Sequence, residues 1–286
     1  MAKVGFWGLG SMGLGMADSL VRDGHDVCGH DPRDVVLEGG CDLPNGDLDV
    51  AVIAVLNAAQ TESVLEAILP DLRSGAVVVA CATVSPDFAR DMADRCEKRQ
   101  IRYLDAPISG GAKRAADGDL SIMASGSTAA FDAAKPALDA MSRTVFHMGE
   151  AVGAGSAMKA VHQVLAGTHI ATMAEAMVFG VTQGIDPARF MEVLPQCGGT
   201  SWMLENRGPH VRDGDYTPHS AVEIWIKDLG IIQDIAADAA IELPMVQAAL
   251  NGYRKAVEMG LGREDDAAIA KVYAAQAGVD LPKGKA

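Results

Sequence analysis

Lys3-Val4-Gly5-Phe6-Trp7-Gly8-Leu9-Gly10-Ser11-Met12-Gly13 is the stretch on which the reading of this chain turns. Val4–Leu9 has the composition of a buried strand, and Ser11–Asp23 carries apolar residues at helical spacing. Gly8, Gly10 and Gly13 fall at the junction, the placement that separates a dinucleotide fingerprint from a random glycine string. The first glycine permits a tight turn, the second lets the backbone approach a diphosphate, and the third lets the helix close on the strand. Leu9, Ser11 and Met12 complete the turn with backbone groups. Free N–H groups at the helix start then face the anion, and the helix dipole favours its charge.

Asp31 lies 18 residues beyond Gly13, at the end of the next strand pattern. A carboxylate there accepts hydrogen bonds from both adenosine ribose hydroxyls and repels a 2′-phosphate, which favours NAD over NADP. Arg33 is the one neighbour that argues otherwise. A flavin is the remaining option for such a turn, although the acidic strand end suits nicotinamide better.

Outward from this turn, strand and helix patterns alternate as far as Met148. Strand runs are Asp26–His30, Val50–Leu56, Ala76–Ala80, Arg102–Ala106, Leu120–Ala124 and Val145–His147, with helical patterns at Thr61–Leu69, Pro86–Arg99 and Thr128–Met141. Such alternation implies βαβ units. Val50–Leu56 and Ala76–Ala80 are apolar throughout, as strands covered on both faces are. The fold class expected is therefore α/β, a doubly wound, mostly parallel Rossmann-type sheet. After Gly155 the rhythm changes. Residues 156–183 hold no proline and read as one long helix, apolar nearly all round, and such a helix is buried between partners. Further helical patterns follow at Pro187–Leu194, Ser201–Val211, Val222–Ala240, Pro244–Gly260 and Asp265–Ala277. Three regions result: a dinucleotide-binding domain at 1–150, a long interdomain helix at 151–183 and an all-helical C-terminal domain at 184–286.

Composition narrows the function classes. The 286 residues include 24 Lys+Arg and 38 Asp+Glu, a formal net charge of −14, which opposes general nucleic-acid binding. The longest uncharged run, Ala160–Ala174, is 15 residues with two His and a Gln, too short and too polar to span a bilayer. Five scattered cysteines without Cys-x-x-Cys spacing indicate neither a zinc site nor a disulfide framework, and no metal cluster stands at ligand spacing. No leader-like apolar region precedes the glycines, so a cytoplasmic location with reduced thiols is expected.

Two further segments carry chemistry. Asp105-Ala106-Pro107-Ile108-Ser109-Gly110-Gly111 follows a strand and ends in a hydroxyl and two glycines, whose N–H groups can approach a carboxylate closely. It reads equally as an ordinary glycine-rich turn. Gly153-Ala154-Gly155 precedes the long helix and places Lys159 in its second turn, with His162, Gln163 and Ala166 on the same face. A lysine among Ala157, Met158, Ala160 and Val161 needs a reason beyond reaching for solvent.

Together these segments resemble the β-hydroxyacid dehydrogenase family, relatives of the 3-hydroxyisobutyrate and tartronate semialdehyde reductases. The shared pattern comprises residues 8–13 with Met16-Ala17, residues 105–111 continuing to Gly118 and Leu120, Gly-Ala-Gly-Ser-Ala-Met-Lys at 153–159, and Lys227-Asp228-Leu229. Within the family the marks at Asn57–Glu62, Lys159–Gln163, Ser201–Arg207 and Asp213–Pro218 are those of the subgroup acting on four-carbon sugar acids such as L-threonate. The resemblance implies that Lys159 is the catalytic lysine, its amine made neutral by burial beside a cationic nicotinamide. It implies that Ser109, Gly110 and Gly111 hold a substrate carboxylate and that Gln163 bonds a substrate hydroxyl, with His162 a further candidate contact. Lys227 with Asp228 closes the site from the helical domain, and Leu56, Asn57 and Thr83 line the cofactor groove. A small anionic hydroxyacid is the implied substrate. The long apolar helix adds a homodimer or homotetramer.

Three departures from the family pattern stand out. The segment between Asp31 and Val50 is short, so a helix or strand beside the adenine pocket is trimmed. Asn57 stands where the family often has Pro, and Gln163 where it usually has Asn. A reductase for a less hydroxylated acid, or a dinucleotide-binding redox sensor without turnover, are the alternatives left open.

Overall fold

The computed structural model describes residues 1–284 and divides them into two compact units, Met1–Ala160 and the residues from Val161 onward. The first unit contains β1 (Lys3–Trp7), α1 (Gly13–Arg22), β2 (Asp26–His30), β3 (Val50–Ile53), α2 (Ala58–Ile68), β4 (Val77–Ala80), α3 (Pro86–Glu97) and β5 (Arg102–Asp105). It continues through β6 (Ile108–Ser109), α4 (Gly111–Ala116), β7 (Leu120–Ala124), α5 (Thr128–Met141) and β8 (Ser142–His147), and ends in the first residues of α6 (Ala154–Thr182). The second unit takes up the rest of α6, then α7 (Pro187–Val193), α8 (Trp202–Asp213), α9 (Val222–Asp238), α10 (Pro244–Glu258) and α11 (Ile269–Ala277).

Five parallel strands form the main sheet in the order β2-β1-β3-β4-β5. Every residue of β3 and β4 is buried, so both faces of these central strands are covered. Each valine or isoleucine side chain there contributes roughly 1.5–3 kcal/mol by leaving water. One face packs Val4, Phe6, Val52 and Val79 against Met16, Leu20 and Leu138, and the other packs Ile53 and Val78 against Leu65, Ile68 and Met92. Successive connections leave β1 in opposite directions, to β2 on one side and from β3 onward on the other. The resulting crevice at the carboxyl ends of β1 and β3 is where open α/β sheets hold ligands.

Local chemistry explains the element boundaries. The side chains of Asn57, Ser85 and Ser127 accept hydrogen bonds from the N–H groups of Gln60, Phe88 and Ala130, capping α2, α3 and α5. In the second unit Asp186 and Ser201 cap α7 and α8 in the same way, and Pro187 and Pro244 stand at helix starts.

Two expectations change. The stretch after Asp105 is no plain loop: Ile108–Ser109 pairs antiparallel with β7, and with β8 they form a second, three-stranded sheet. A two-residue strand is too short for periodicity to reveal. The argument from the 15-residue uncharged run also undercounts, because α6 is 29 residues, long and apolar enough by length and composition to cross a membrane. Half of its most apolar stretch is buried within the folded chain. Between His30 and Val50 the described residues form no helix beyond the short 3-10 turn Asn45–Asp47, in keeping with the trimmed segment. All five cysteines are free thiols; Cys28, Cys81 and Cys96 are buried, while Cys41 and Cys197 are exposed.

Candidate active site

The parallel sheet gathers the predicted cofactor residues at one edge. Gly8 follows β1, Asp31 follows β2, Leu56 and Asn57 follow β3, and Thr83 follows β4, all at carboxyl ends. Gly8 has φ +100°, and a Cβ on it would stand 2.5 Å from the carbonyl oxygen of Ala54. A Cβ on Gly13 would collide with the carbonyl oxygen of Gly8, so α1 starts tight against the strand end only because glycine stands there. Around Gly10 the space is open, with Arg33 Nη2 the nearest atom at 3.8 Å from a Cβ position. No side chain caps α1, so its first turn presents backbone N–H groups rather than an internal lid. These features fit a dinucleotide diphosphate: the backbone can be approached closely at Gly10, and the helix end is left for an anion.

Asp31 completes this edge. Its carboxylate is only 4% exposed and accepts the Leu9 N–H at 2.8 Å, which ties the end of β2 to the glycine turn. The Arg33 guanidinium and the N–H groups of Arg33 and Leu9 hold its carboxyl well below the usual carboxylate range. Trp7 and His30, at matching positions on β1 and β2, stack with ring centroids 4.7 Å apart. Burial lowers the His30 imidazole, opposed by nearby Asp42. Asn57 spends its side-chain oxygen on capping α2, and the exposed Leu56 donates its N–H to Gln60 Oε1 at 2.9 Å. What these two offer a ligand is therefore surface and remaining amide hydrogens.

The second segment is anchored by a residue whose role was not legible. Asp105, at the end of β5, is 1% exposed. Its Oδ2 accepts the N–H of Gly153 at 3.1 Å and of Ser156 at 2.8 Å, and its Oδ1 accepts the Ser156 hydroxyl at 2.7 Å. Ser125 Oγ donates to the same carboxylate at 3.2 Å and accepts the Gly155 N–H at 3.0 Å. Burial pushes the Asp105 carboxyl up, against the pull of these hydrogen bonds. The start of α6 is thereby latched to the sheet edge, and Lys159 stands one turn further along, 7% exposed. The signal in the sequence was an aspartate ending an otherwise buried strand, a charge that needs several donors. Ser109 lies in β6 opposite Ser121, and Gly110 and Gly111 turn the chain into α4 with φ +145° and +79°. A Cβ on Gly111 would meet nothing within 4 Å, so its backbone faces open space.

The second unit brings together the other predicted residues. His162 Nδ1 and Gln163 Oε1 are 2.8 Å apart, the Gln163 amide donates to Asp228 Oδ2, and Asp228 Oδ1 lies 2.5 Å from Lys227 Nζ. With the Gln163 amide nitrogen turned to Asp228, its oxygen can only accept, so in this contact His162 Nδ1 is the donor. Gln163 is thus fixed in orientation from both sides, with Gln163 and Asp228 buried.

Arg207, the last residue of the Ser201–Arg207 mark, is buried on α8. Its Nε donates to Asp266 Oδ1 at 2.6 Å, and Trp225 Nε1 donates to Asp266 Oδ2 at 3.0 Å. The adjacent Asp265 accepts His210 Nδ1 at 2.8 Å and the His219 N–H at 2.9 Å. Burial pushes Asp266 up. Burial also opposes ionisation of Asp265, but His210, the N–H groups of His219 and Ala267, and Arg207 outweigh it and hold that carboxyl down.

Comparison with known proteins agrees with this architecture. Residues 3–149 match the NAD binding domain of 6-phosphogluconate dehydrogenase, and residues 153–273 match the NAD-binding domain of NADP-dependent 3-hydroxyisobutyrate dehydrogenase. The chain is 43% identical to L-threonate dehydrogenase of Cupriavidus necator over 99% of both chains. It is 40% identical to L-threonate dehydrogenase of Escherichia coli strain K12, over 99% of this chain and 97% of the relative. The crystal structure of a 3-hydroxyisobutyrate dehydrogenase from Salmonella typhimurium superposes with TM-score 0.90 at 42% identity, covering 95% of this chain and all of that one. With both halves matched in order and relatives aligned over nearly the full length, the chain belongs to the β-hydroxyacid dehydrogenase family, of the 3-hydroxyisobutyrate dehydrogenase type, and is an NAD-dependent oxidoreductase.

Proposed function

We propose that this enzyme oxidises a short hydroxycarboxylate, L-threonate, with Lys159 as the general base. The observation that carries the reading is the placement of Lys159: a buried amine one turn beyond the Asp105 latch, on a stretch of α6 that is otherwise apolar. Names of relatives at 40–43% identity over nearly the full length support the substrate. Bound NAD supplies the hydride acceptor. Lys159 takes the hydroxyl proton during oxidation and returns it when the carbonyl is reduced. Ser109 with the Gly110 and Gly111 N–H groups holds the carboxylate. Gln163, its amide fixed by His162 and Asp228, bonds a substrate hydroxyl, while Asp228 holds the Lys227 ammonium in place. A polyol acid offers several hydroxyls, and a buried amide rejects analogues that leave it unpaired.

The reading includes a cytoplasmic location and a homodimer or homotetramer, for which the exposed Val161, Leu165 and Phe179 of α6 provide an apolar face. Light scattering that gave a monomer would remove the oligomer.

Initial rates with NAD on L-threonate, 3-hydroxyisobutyrate and glycerate test the substrate, with L-threonate expected to have the highest kcat/KM. Lys159→Ala is expected to lower kcat by about 10²–10⁴-fold with NAD binding retained. Full activity in that variant overturns the base assignment. NAD binding without turnover of any hydroxyacid turns the reading to a redox sensor.

A further inference from the structure

Two contacts join α6 and α9 within one turn of each other on each helix. At one, the Gln163 amide donates to Asp228 Oδ2. At the other, four residues on in α6 and three back in α9, Gly167 meets Trp225. A Cβ on Gly167 would stand 2.8 Å from Trp225 Cε3 and 2.9 Å from Cζ3, well inside the contact distance of packed carbons. Glycine weakens a helix interior. What it leaves here is a notch the depth of a methyl group, filled by the edge of the indole. That ring is 3% exposed and is fixed on its remaining sides. Tyr253 stacks on it with centroids 5.7 Å apart, and the Tyr253 hydroxyl donates to the Gly167 carbonyl at 2.9 Å. The indole Nε1 donates to Asp266 Oδ2 at 3.0 Å, while Arg207 holds the other Asp266 oxygen. A bicyclic ring clamped in this way can neither slide along α6 nor turn away from it.

We propose that Trp225 is a positioning residue for the substrate amide: by filling the Gly167 notch it sets how closely and in what register α9 lies on α6, and so delivers Asp228 to Gln163. The inference rests on the reading that Gln163 bonds a substrate hydroxyl. One residue of helix is about 1.5 Å of rise, and a hydrogen bond weakens steeply over less than that. A displaced α9 therefore releases the Gln163 amide nitrogen and leaves only its oxygen tied, to His162. A held amide penalises an acid that leaves it unpaired; a released one turns to another partner, and the penalty is lost. The notch thus acts on the choice between acids and not on stability alone.

Initial rates on L-threonate and on 3-hydroxyisobutyrate in the wild type, Gly167→Ala, Trp225→Phe and Gln163→Ala test this. Gly167→Ala adds the methyl group that the notch excludes. Trp225→Phe withdraws the ring edge that fills the notch and the N–H that anchors it. Each of these two is expected to lower the ratio of kcat/KM for L-threonate to that for 3-hydroxyisobutyrate by about three- to tenfold, the worth of one hydrogen bond, chiefly through the KM for L-threonate. The proposal stands if the ratio falls by at least about threefold in Gly167→Ala, or in Trp225→Phe should Gly167→Ala fail to fold. It is overturned if the ratio falls less, whatever happens to the melting temperature, since Trp225 then serves stability alone. Gln163→Ala separates this from the reading beneath it. A wild type without preference for L-threonate, or a Gln163→Ala ratio that falls by less than about threefold, overturns the hydroxyl role of Gln163 and the proposal with it. A fall in Gln163→Ala without one in Gly167→Ala overturns the Trp225 proposal alone.

Discussion

In the dinucleotide unit the polar groups that build the site are mostly backbone, exposed by glycines at Gly8 and Gly13 and held against the sheet edge. In the helical unit the buried polar groups are side chains held in pairs, Arg207 with Asp266 and His210 with Asp265. The difference is one of origin. A backbone site is written locally, since the turn needs three glycines within six positions and a strand before them. A buried ion pair is written across the fold, here between residues 59 apart in sequence. It follows that the two regions fail differently: the first loses ligand when a side chain is added, the second loses stability when one is removed.

The largest effect should come from removing one partner of a buried ion pair. Asp266→Ala leaves the Trp225 N–H unpaired and Arg207 with only Asn206 and the more distant Asp265 at 3.9 Å, and is expected to cost about 3–5 kcal/mol in denaturant unfolding. A loss under about 1 kcal/mol would mean that water reaches the pair and would break the contrast. Next, Gly13→Ala places a methyl group against the Gly8 carbonyl; overpacking and strain predict about 1–3 kcal/mol of destabilisation. Here the ligand is the sharper readout, with NAD affinity expected to fall at least about tenfold because α1 must retreat from the turn. Unchanged affinity would show that the helix start is not what holds the diphosphate. The smallest change is Arg207→Lys, which keeps the charge and loses the fork. It is expected to cost about 1–2 kcal/mol, and a neutral result would say that charge alone, without geometry, satisfies Asp266.

The same contrast explains what was legible in the sequence. The strands of the main sheet, the helices with Asn57, Ser85 and Ser127 at their caps, and the turn at residues 8–13 follow from local period and composition. The long helix was visible because few charges interrupt it. The part Asp105 plays is not legible from its motif, because its donors lie at Ser125, Gly153 and Ser156, on other elements. That Arg207 is buried is not legible either, because helical periodicity cannot foresee a partner supplied 59 residues later. The two-residue β6 lay below the length at which alternation becomes a signal. Arg33 stands two positions from Asp31, yet nothing in that spacing dictates that its guanidinium takes both carboxylate oxygens.

The distribution of thiols has a practical consequence. Burial pushes Cys81 and Cys96 up to about 12, and Cys28 is also buried, so none of the three offers a ready nucleophile to a maleimide. The two exposed cysteines fall one in each compact unit, Cys41 in the first and Cys197 in the second. Burial, with Asp26 and Cys28 nearby, pushes the exposed Cys41 thiol up as well, so a maleimide offered to the native chain is expected to choose Cys197 first. A single dye would then report on the second unit with no engineered residue in the way.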